Sequence, residues 1–345
     1  MINNVKYLNT KVNRRHPTVV RVYKQIRKEF GMVVDPFSLH SISPEILAGV
    51  WAACRETELV GKVSRVEKEI VAACVSASNQ CPYCVDAHTM LLNAVGEFEV
   101  SNFISRGDYD RIDDERLFSL INWARSTNVP TSDIILNPPF SKTSASEYIG
   151  MAVFYHYLNR IVHVFLPDQL LPVKSNTAKK SLKRMAGWFF SFSANRTKKS
   201  GNALALLPNS ELPDDMSWAL GSETISQSFS QMASVIDTQE KSIVSAQVRT
   251  IFNDFIAQWD GQSCGINTGW TIDLLKDLNP ENAITLKLAL LTAIEPYKVN
   301  ESIIGEFKNF HEEESSLLSV VCWASFTASR RVGQWCYQTF ENRLA

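Results

Sequence analysis

The sequence predicts an all-α protein made of a helical unit present twice in tandem. Two observations carry that prediction, and length allows it. Nearly every long segment spaces its apolar residues at helical rather than alternating intervals, and no strand ladder emerges. Two runs in the second half repeat runs of the first in the same order. At 345 residues the chain is long for one core and suits two domains of about 150–170 residues. The expected division is a first helical domain over 1–166, a basic and aromatic linker over 167–212, and a degenerate second copy over 213–345.

The elements follow in order. In 43–62, Ser43 is placed to cap a helix, with Pro44 at its first position and Glu45 in its first turn. Ile46, Val50 and Trp51 then recur at helical spacing. Residues 64–80 open on Ser64 with Glu67 three residues later, a capping-box pattern. Helices are expected over 113–127 and 144–166 as well. Between 170 and 210 there is no acid, while eight Lys and Arg from Lys174 to Lys199 surround "GWFFSFS" (187–193). Such a stretch suits either a linker that packs its aromatics on a neighbouring domain or a helix for a membrane surface or anionic partner.

The repeat is read at two offsets. At 170, residues 151–165 lie over 320–335, pairing Phe154 with Ala324, Arg160 with Arg330, Val162 with Val332 and Phe165 with Trp335. The same offset pairs Leu120 with Leu290. Upstream it grows to 181, where "SRVEKEI" (64–70) meets "SAQVRTI" (245–251).

Residues 78–92, "SNQCPYCVDAHTMLL", hold the candidate chemistry. Pro82 suits the first turn of a helix, which puts Cys81 near its N-cap. Cys81, Cys84 and His88 then share one face at i, i+3 and i+7. The free N–H groups and positive end of a helix N-terminus favour thiolate, and His88 can take the proton of Cys84. If the preceding helix runs antiparallel, His88 lies roughly 12 Å from the turn and Glu69 roughly 15 Å from it. A carboxylate at that depth can orient the imidazole and stabilise its protonated form. Glu69 also sits beside Ile70 and Val71 on an otherwise apolar helix, where a charge needs a partner. Three readings compete: a redox dithiol, part of a zinc site, and core cysteines that share a face by coincidence. Zinc would need a fourth ligand, and the other histidines are scattered.

Glu69, eleven residues, Cys81, two residues, Cys84, three residues, His88 resembles the signature of the AhpD-like alkylhydroperoxidases, members of the all-helical carboxymuconolactone decarboxylase superfamily. "YHYLNRIVHVF", "LALLPNSELPDDMSWA" and "WASFTASRRVGQW" resemble its two-domain members, so the likeness spans most of the chain. It implies tandem AhpD-like domains and thiol-dependent reduction of hydroperoxides in antioxidant defence. Cys84 would be the attacking thiolate, His88 its base, Glu69 the group behind it, and Cys81 the resolving thiol. No bound cofactor is implied, only an external dithiol or lipoyl-type reductant, and relatives suggest a homo-oligomer. The well-studied peroxidase form has a second histidine between the cysteines, where this chain has Tyr83, a phenol too weakly acidic to serve as a base near neutrality. Alternatives are a redox-sensing assembly module and a lactone decarboxylase, a chemistry that does not need the cysteines.

In the second copy, Thr250 falls at the place of Glu69, Cys264 stands alone in "GQSCGINTGW", and Trp270 falls near the place of His88. That half is expected to be a scaffold. His156, Asn159 and Arg160 form a polar cluster at i, i+3 and i+4. Arg160 matches Arg330 and reads as structural, while His156 joins Tyr83 as a second-tier candidate for the pocket. Cys54, Cys74, Cys322 and Cys336 read as small hydrophobes, and Trp51, Trp123 and Trp323 as core. A net charge of −1 predicts no general affinity for nucleic acid. No apolar run reaches the roughly 20 residues that cross a bilayer, no secretory signal is expected at the N-terminus, and seven thinly spread cysteines fit reduced thiols. The expected location is the cytoplasm.

Overall fold

The computed structural model describes residues 5–170 and 198–342, and every regular element in them is helical. Most of the basic and aromatic stretch, 171–197, lies outside the described residues. Counting α-helices of eight or more residues, the first half holds α1 (Pro17–Phe30), α2 (Pro44–Glu58), α3 (Arg65–Ser78), α4 (Pro82–Ala94), α5 (Phe98–Arg106), α6 (Glu115–Arg125) and α7 (Lys142–Phe165). The second holds α8 (Glu223–Glu240), α9 (Ala246–Gln258), α10 (Pro280–Ile294), α11 (Glu301–Lys308) and α12 (Glu314–Asn342).

The starts of these helices were written in the sequence because capping is local. The Ser43 hydroxyl accepts from the Ile46 N–H. Ser64 and Glu67 form the full capping box of α3. Asp114 caps α6 by accepting from the N–H groups of Arg116 and Leu117. Each such cap satisfies donors that would otherwise be orphaned, and stabilises by about 1 kcal/mol.

The duplication shows in the packing. A shift of 181 lays α3 over α9 to within a residue, and a shift of 170 brings the starts of α7 and α12 to within two. Matching helices then pack on each other: α7 lies along α12, and α2 along α8. A Cβ at Gly49 would sit 3.0 Å from the Met232 Cα, so glycine is what lets α2 approach α8 so closely. Trp51, Trp123, Trp218, Phe154, Phe229 and Phe326 are fully or almost fully buried and bind the layers together, each stabilising by roughly 1.5–3 kcal/mol. At the seam, His40 Nδ1 donates to the Pro36 carbonyl (2.8 Å), which leaves Nε2 to accept from the Tyr157 hydroxyl (2.8 Å). Tyr157 lies 3.2 Å from the Cys322 sulfur of α12. Among the described residues, no helix is long and apolar enough to cross a membrane.

Candidate active site

α3 and α4 form an antiparallel hairpin whose turn is Asn79–Gln80. Gln80 takes a left-handed conformation (φ 53°), its N–H bonds to the Ala77 carbonyl, and the Cys81 N–H reaches back to the Ser76 carbonyl (2.9 Å). This is a Schellman closure with glutamine where glycine is usual, so the turn stores roughly 1 kcal/mol of backbone strain directly before Cys81. The turn is pinned from α7. The Asn79 amide donates to Asn159 Oδ1 (2.9 Å) and His156 Nδ1 (3.1 Å), and the Asn79 carbonyl accepts from His163 Nε2 (3.0 Å). Those three partners are i, i+3 and i+7 on one face of α7.

The hairpin brings Glu69 and His88 together. Glu69 Oε2 is 2.7 Å from His88 Nδ1, and its side chain is wholly buried. Nδ1 is thereby committed to the carboxylate, which leaves Nε2 as the nitrogen that can exchange a proton. Cys81 and Cys84 place their sulfurs 2.7 Å apart, one at the N-cap and one in the first turn of α4, and both are buried. Among the described residues no hydrogen bond joins the two pairs; His88 lies one turn beyond Cys84 on α4.

The thiol differs from its expectation. The helix N-terminus was expected to favour thiolate, yet burial pushes the Cys84 thiol well above the ordinary range, with the neighbouring Cys81 adding to the rise. The Asn159 amide at its sulfur works the other way and does not prevail.

Around Glu69 and His88 stands a charged cluster that the sequence reading missed. Arg65 Nη2 bridges Glu58 Oε1 (2.6 Å) and Glu69 Oε1 (2.5 Å). The Tyr155 hydroxyl donates to Glu58, and the Cys54 thiol lies 3.4 Å from the same carboxylate. The Tyr155 ring meets the His88 ring edge-on, centroids 4.4 Å apart. Burial works to raise the Glu58 carboxyl, but Arg65, then His88 and the bond from Tyr155 outweigh it and hold it below its ordinary value. Two buried carboxylates face one guanidinium, so a proton arriving on His88 completes the charge balance. Glu58 could have been flagged by its place after an apolar run, as Glu69 was. Tyr155 gave no local sign.

A cavity of about 460 Å³ opens on this cluster. His88, Glu58, Tyr83 and Tyr155 form its polar side, and Phe30, Val33, Phe37 and Leu158 its apolar walls. Neither sulfur lines it; Tyr83 and His88, from the same helix, do. Burial, then Asp35, raises the Tyr83 phenol further, so it stays protonated across the ordinary pH range. His156 is not among the lining residues. It is wholly buried, donates from Nε2 to Thr127 (2.8 Å) and accepts from Asn79 at Nδ1. Thr127 already donates to the Ala124 carbonyl, which fixes that tautomer. Burial, then the charge of Arg160, drives its pKa far down, so it is a neutral core histidine that positions the turn. Among the described residues, no group of three His, Cys, Asp or Glu could hold a metal ion.

In the second half Thr250 is exposed, and among the described residues only the short helical pieces Gly269–Thr271 and Ile272–Leu275 stand where α4 would fall. The chain there runs through Gly261 (φ 91°) and Gly265 (φ 126°), conformations that interrupt a helix. Cys264 lies in that loop, and Trp270 donates to Glu295 Oε2 (3.0 Å) rather than lining a dithiol site.

Residues 44–99, which span α2 to the start of α5, match the family described as the carboxymuconolactone decarboxylase family. The chain is also 32% identical over 327 residues to the protein named alkyl hydroperoxide reductase Rv2159c of Mycobacterium tuberculosis (strain ATCC 25618 / H37Rv), covering 95% of this chain and 93% of that relative. With a likeness of that extent laid over an all-α fold, the chain belongs to the carboxymuconolactone decarboxylase, AhpD-like family.

Proposed function

We propose that this protein reduces organic hydroperoxides with the Cys81–Cys84 dithiol, and that an external dithiol of lipoyl or similar type restores it. The observation that carries this reading is the buried Glu69–His88 pair, 2.7 Å apart, one helical turn from Cys84, whose sulfur lies 2.7 Å from that of Cys81. His88 takes the Cys84 proton, directly or through a water, and Glu69 stabilises the imidazolium that results. The thiolate attacks the outer oxygen of ROOH and the O–O bond breaks. The alkoxide leaves as ROH with the proton returned by His88, and Cys84 becomes a sulfenic acid. The Cys81 thiol attacks that sulfur, water leaves, and a disulfide closes. Exchange with the external dithiol regenerates both thiols and oxidises the donor.

The name of the relative supports a peroxide substrate, and the apolar walls of the cavity support an organic over an inorganic one. In this reading residues 1–166 are the reactive domain and 213–345 its structural duplicate. The test is turnover of tert-butyl hydroperoxide and of hydrogen peroxide with dithiothreitol or dihydrolipoamide as donor. The natural protein should turn over repeatedly, Cys84→Ser should be inactive, and His88→Ala should lose on the order of 10²-fold. If both variants match the natural protein, the assignment is wrong. A single slow oxidation with no turnover would instead favour a redox sensor.

A further inference from the structure

A second cavity, of about 290 Å³, lies at the seam between the halves, with the hairpin turn Asn79–Gln80 among its lining. Asn159, Arg160 and His163 of α7 form one wall, and Trp259, Gln262 and Tyr297 of the second half form the other. Arg160 is only 5% exposed. Its Nε donates to the Ala293 carbonyl (2.7 Å) and its Nη1 to the His156 carbonyl (2.7 Å), and the guanidinium stands 5.7 Å from the Trp259 ring centroid. All of these partners are neutral. Among the described residues Arg160 makes no ion pair, and its Nη2 has no hydrogen-bond partner.

The duplicate position shows what is missing. Arg330, at the matching place in α12, is paired with Asp215 (Nε to Oδ2, 2.7 Å) and Asp237 (3.5 Å). Arg160 carries the same charge, more deeply buried, without a carboxylate. A buried guanidinium is costly unless an anion meets it, and burial brings the Arg160 pKa down to about 9. Its free edge faces a cavity that has aromatic side chains on one wall and a histidine on the other. That histidine, His163, is spoken for at Nε2 and held neutral, mainly by burial.

We propose that this seam cavity binds a small organic carboxylate, its oxygens on the guanidinium of Arg160 and its apolar body against the wall that carries Trp259 and Tyr297. One guanidinium edge matches a planar monoanion; a phosphate dianion would call for a second cation that the walls do not offer. The site is separate from the cavity at His88 and does not depend on the peroxidase reading.

Calorimetric titration with benzoate and with inorganic phosphate tests it, read as binding heat and not as turnover. Benzoate should bind with one site per chain and at least about tenfold more tightly than phosphate. Arg160→Gln should abolish that binding. Because that residue is buried, Tyr297→Glu serves as the second variant. Tyr297 is half-exposed at the rim, so the fold should survive, and the added charge should weaken benzoate about tenfold. The proposal is overturned if the natural protein gives no benzoate heat up to about 20 mM, if phosphate binds as well as benzoate, or if Tyr297→Glu binds benzoate as tightly as the natural protein.

Discussion

α3 and α9 hold matching places in the two halves and start alike on a serine cap, yet they differ in depth. In α3 ten residues are buried, among them Glu69 and Lys68. In α9 only Val248, Phe252 and Ile256 are buried, and Thr250 faces solvent. The difference teaches that a charged site of this kind needs a helix enclosed on more than one side. Only there does low dielectric make a carboxylate–imidazole contact strong. Where the hairpin partner is lost to a glycine-containing loop, the helix becomes surface and a carboxylate has nothing to hold.

The sharpest way to break that comparison is to change the two matching positions. Glu69→Gln should lower hydroperoxide turnover on the order of 10²-fold, since the amide cannot stabilise the imidazolium. Thr250→Glu should give the second half no activity, and turnover in a Cys84→Ser background should stay at zero. Measurable turnover in the double variant would show that depth is not what separates the halves.

The cysteines give the next effect. Burial raises Cys84 well above its ordinary value, whereas Cys264, only partly buried, is raised less. Alkylation of Cys84 by iodoacetamide should therefore climb about tenfold per pH unit from about pH 7 to 9. Cys264 should react sooner and level off earlier. Peptide mass spectrometry follows both thiols in one sample. A Cys84 rate already flat at pH 7 would mean that its thiolate is stabilised in a way the geometry does not show. Folding holds Cys84 protonated, so its contribution to stability is full below the unfolded thiol value near 8.5 and is lost as pH rises above it.

What was legible in the sequence was what lies close along the chain. Ser43, Ser64 and Pro82 mark helix starts because a cap is satisfied within three residues. The contact of Glu69 with His88 follows from one hairpin, 19 residues apart. Tyr155 reaches Glu58 from 97 residues away, and Asn79 finds Asn159 across 80. No periodicity encodes such meetings, because they depend on how α7 crosses the hairpin. His156 was misplaced for the same reason: its neighbours Thr127 and Asn79 become visible only in three dimensions.

Histidines separate the halves as well, since five of the six precede residue 164 and only His311 follows. His40 is wholly buried, and that burial lowers its pKa to about 3 against the pull of the Pro36 carbonyl. Folding therefore keeps His40 neutral. Its contribution is full above the unfolded value near 6.5 and falls by about 1.4 kcal/mol per pH unit as pH drops toward 3. His156 adds to the same window. Hydrogen exchange between about pH 6.5 and 4.5 should show α2 and α7 losing protection before α9 and α10, and His40→Gln should flatten the stability difference across that range. Equal loss of protection in both halves would mean that they unfold as one unit.

The smallest effect compares the two serine caps. The Ser245 hydroxyl accepts from the Val248 N–H (3.3 Å) and does nothing more for α9. Ser64 accepts from the Glu67 N–H (3.2 Å), while Glu67 takes the Ser64 hydroxyl (2.7 Å) and N–H (3.3 Å), the Tyr148 hydroxyl (2.8 Å) and the Arg116 guanidinium. Ser245→Ala should cost about 1 kcal/mol in urea unfolding, and Ser64→Ala closer to 2, because it also strips a donor from a largely buried carboxylate. If the two costs are equal, Tyr148 and Arg116 hold Glu67 by themselves. The reciprocal cap would then add nothing to the helix that carries Glu69.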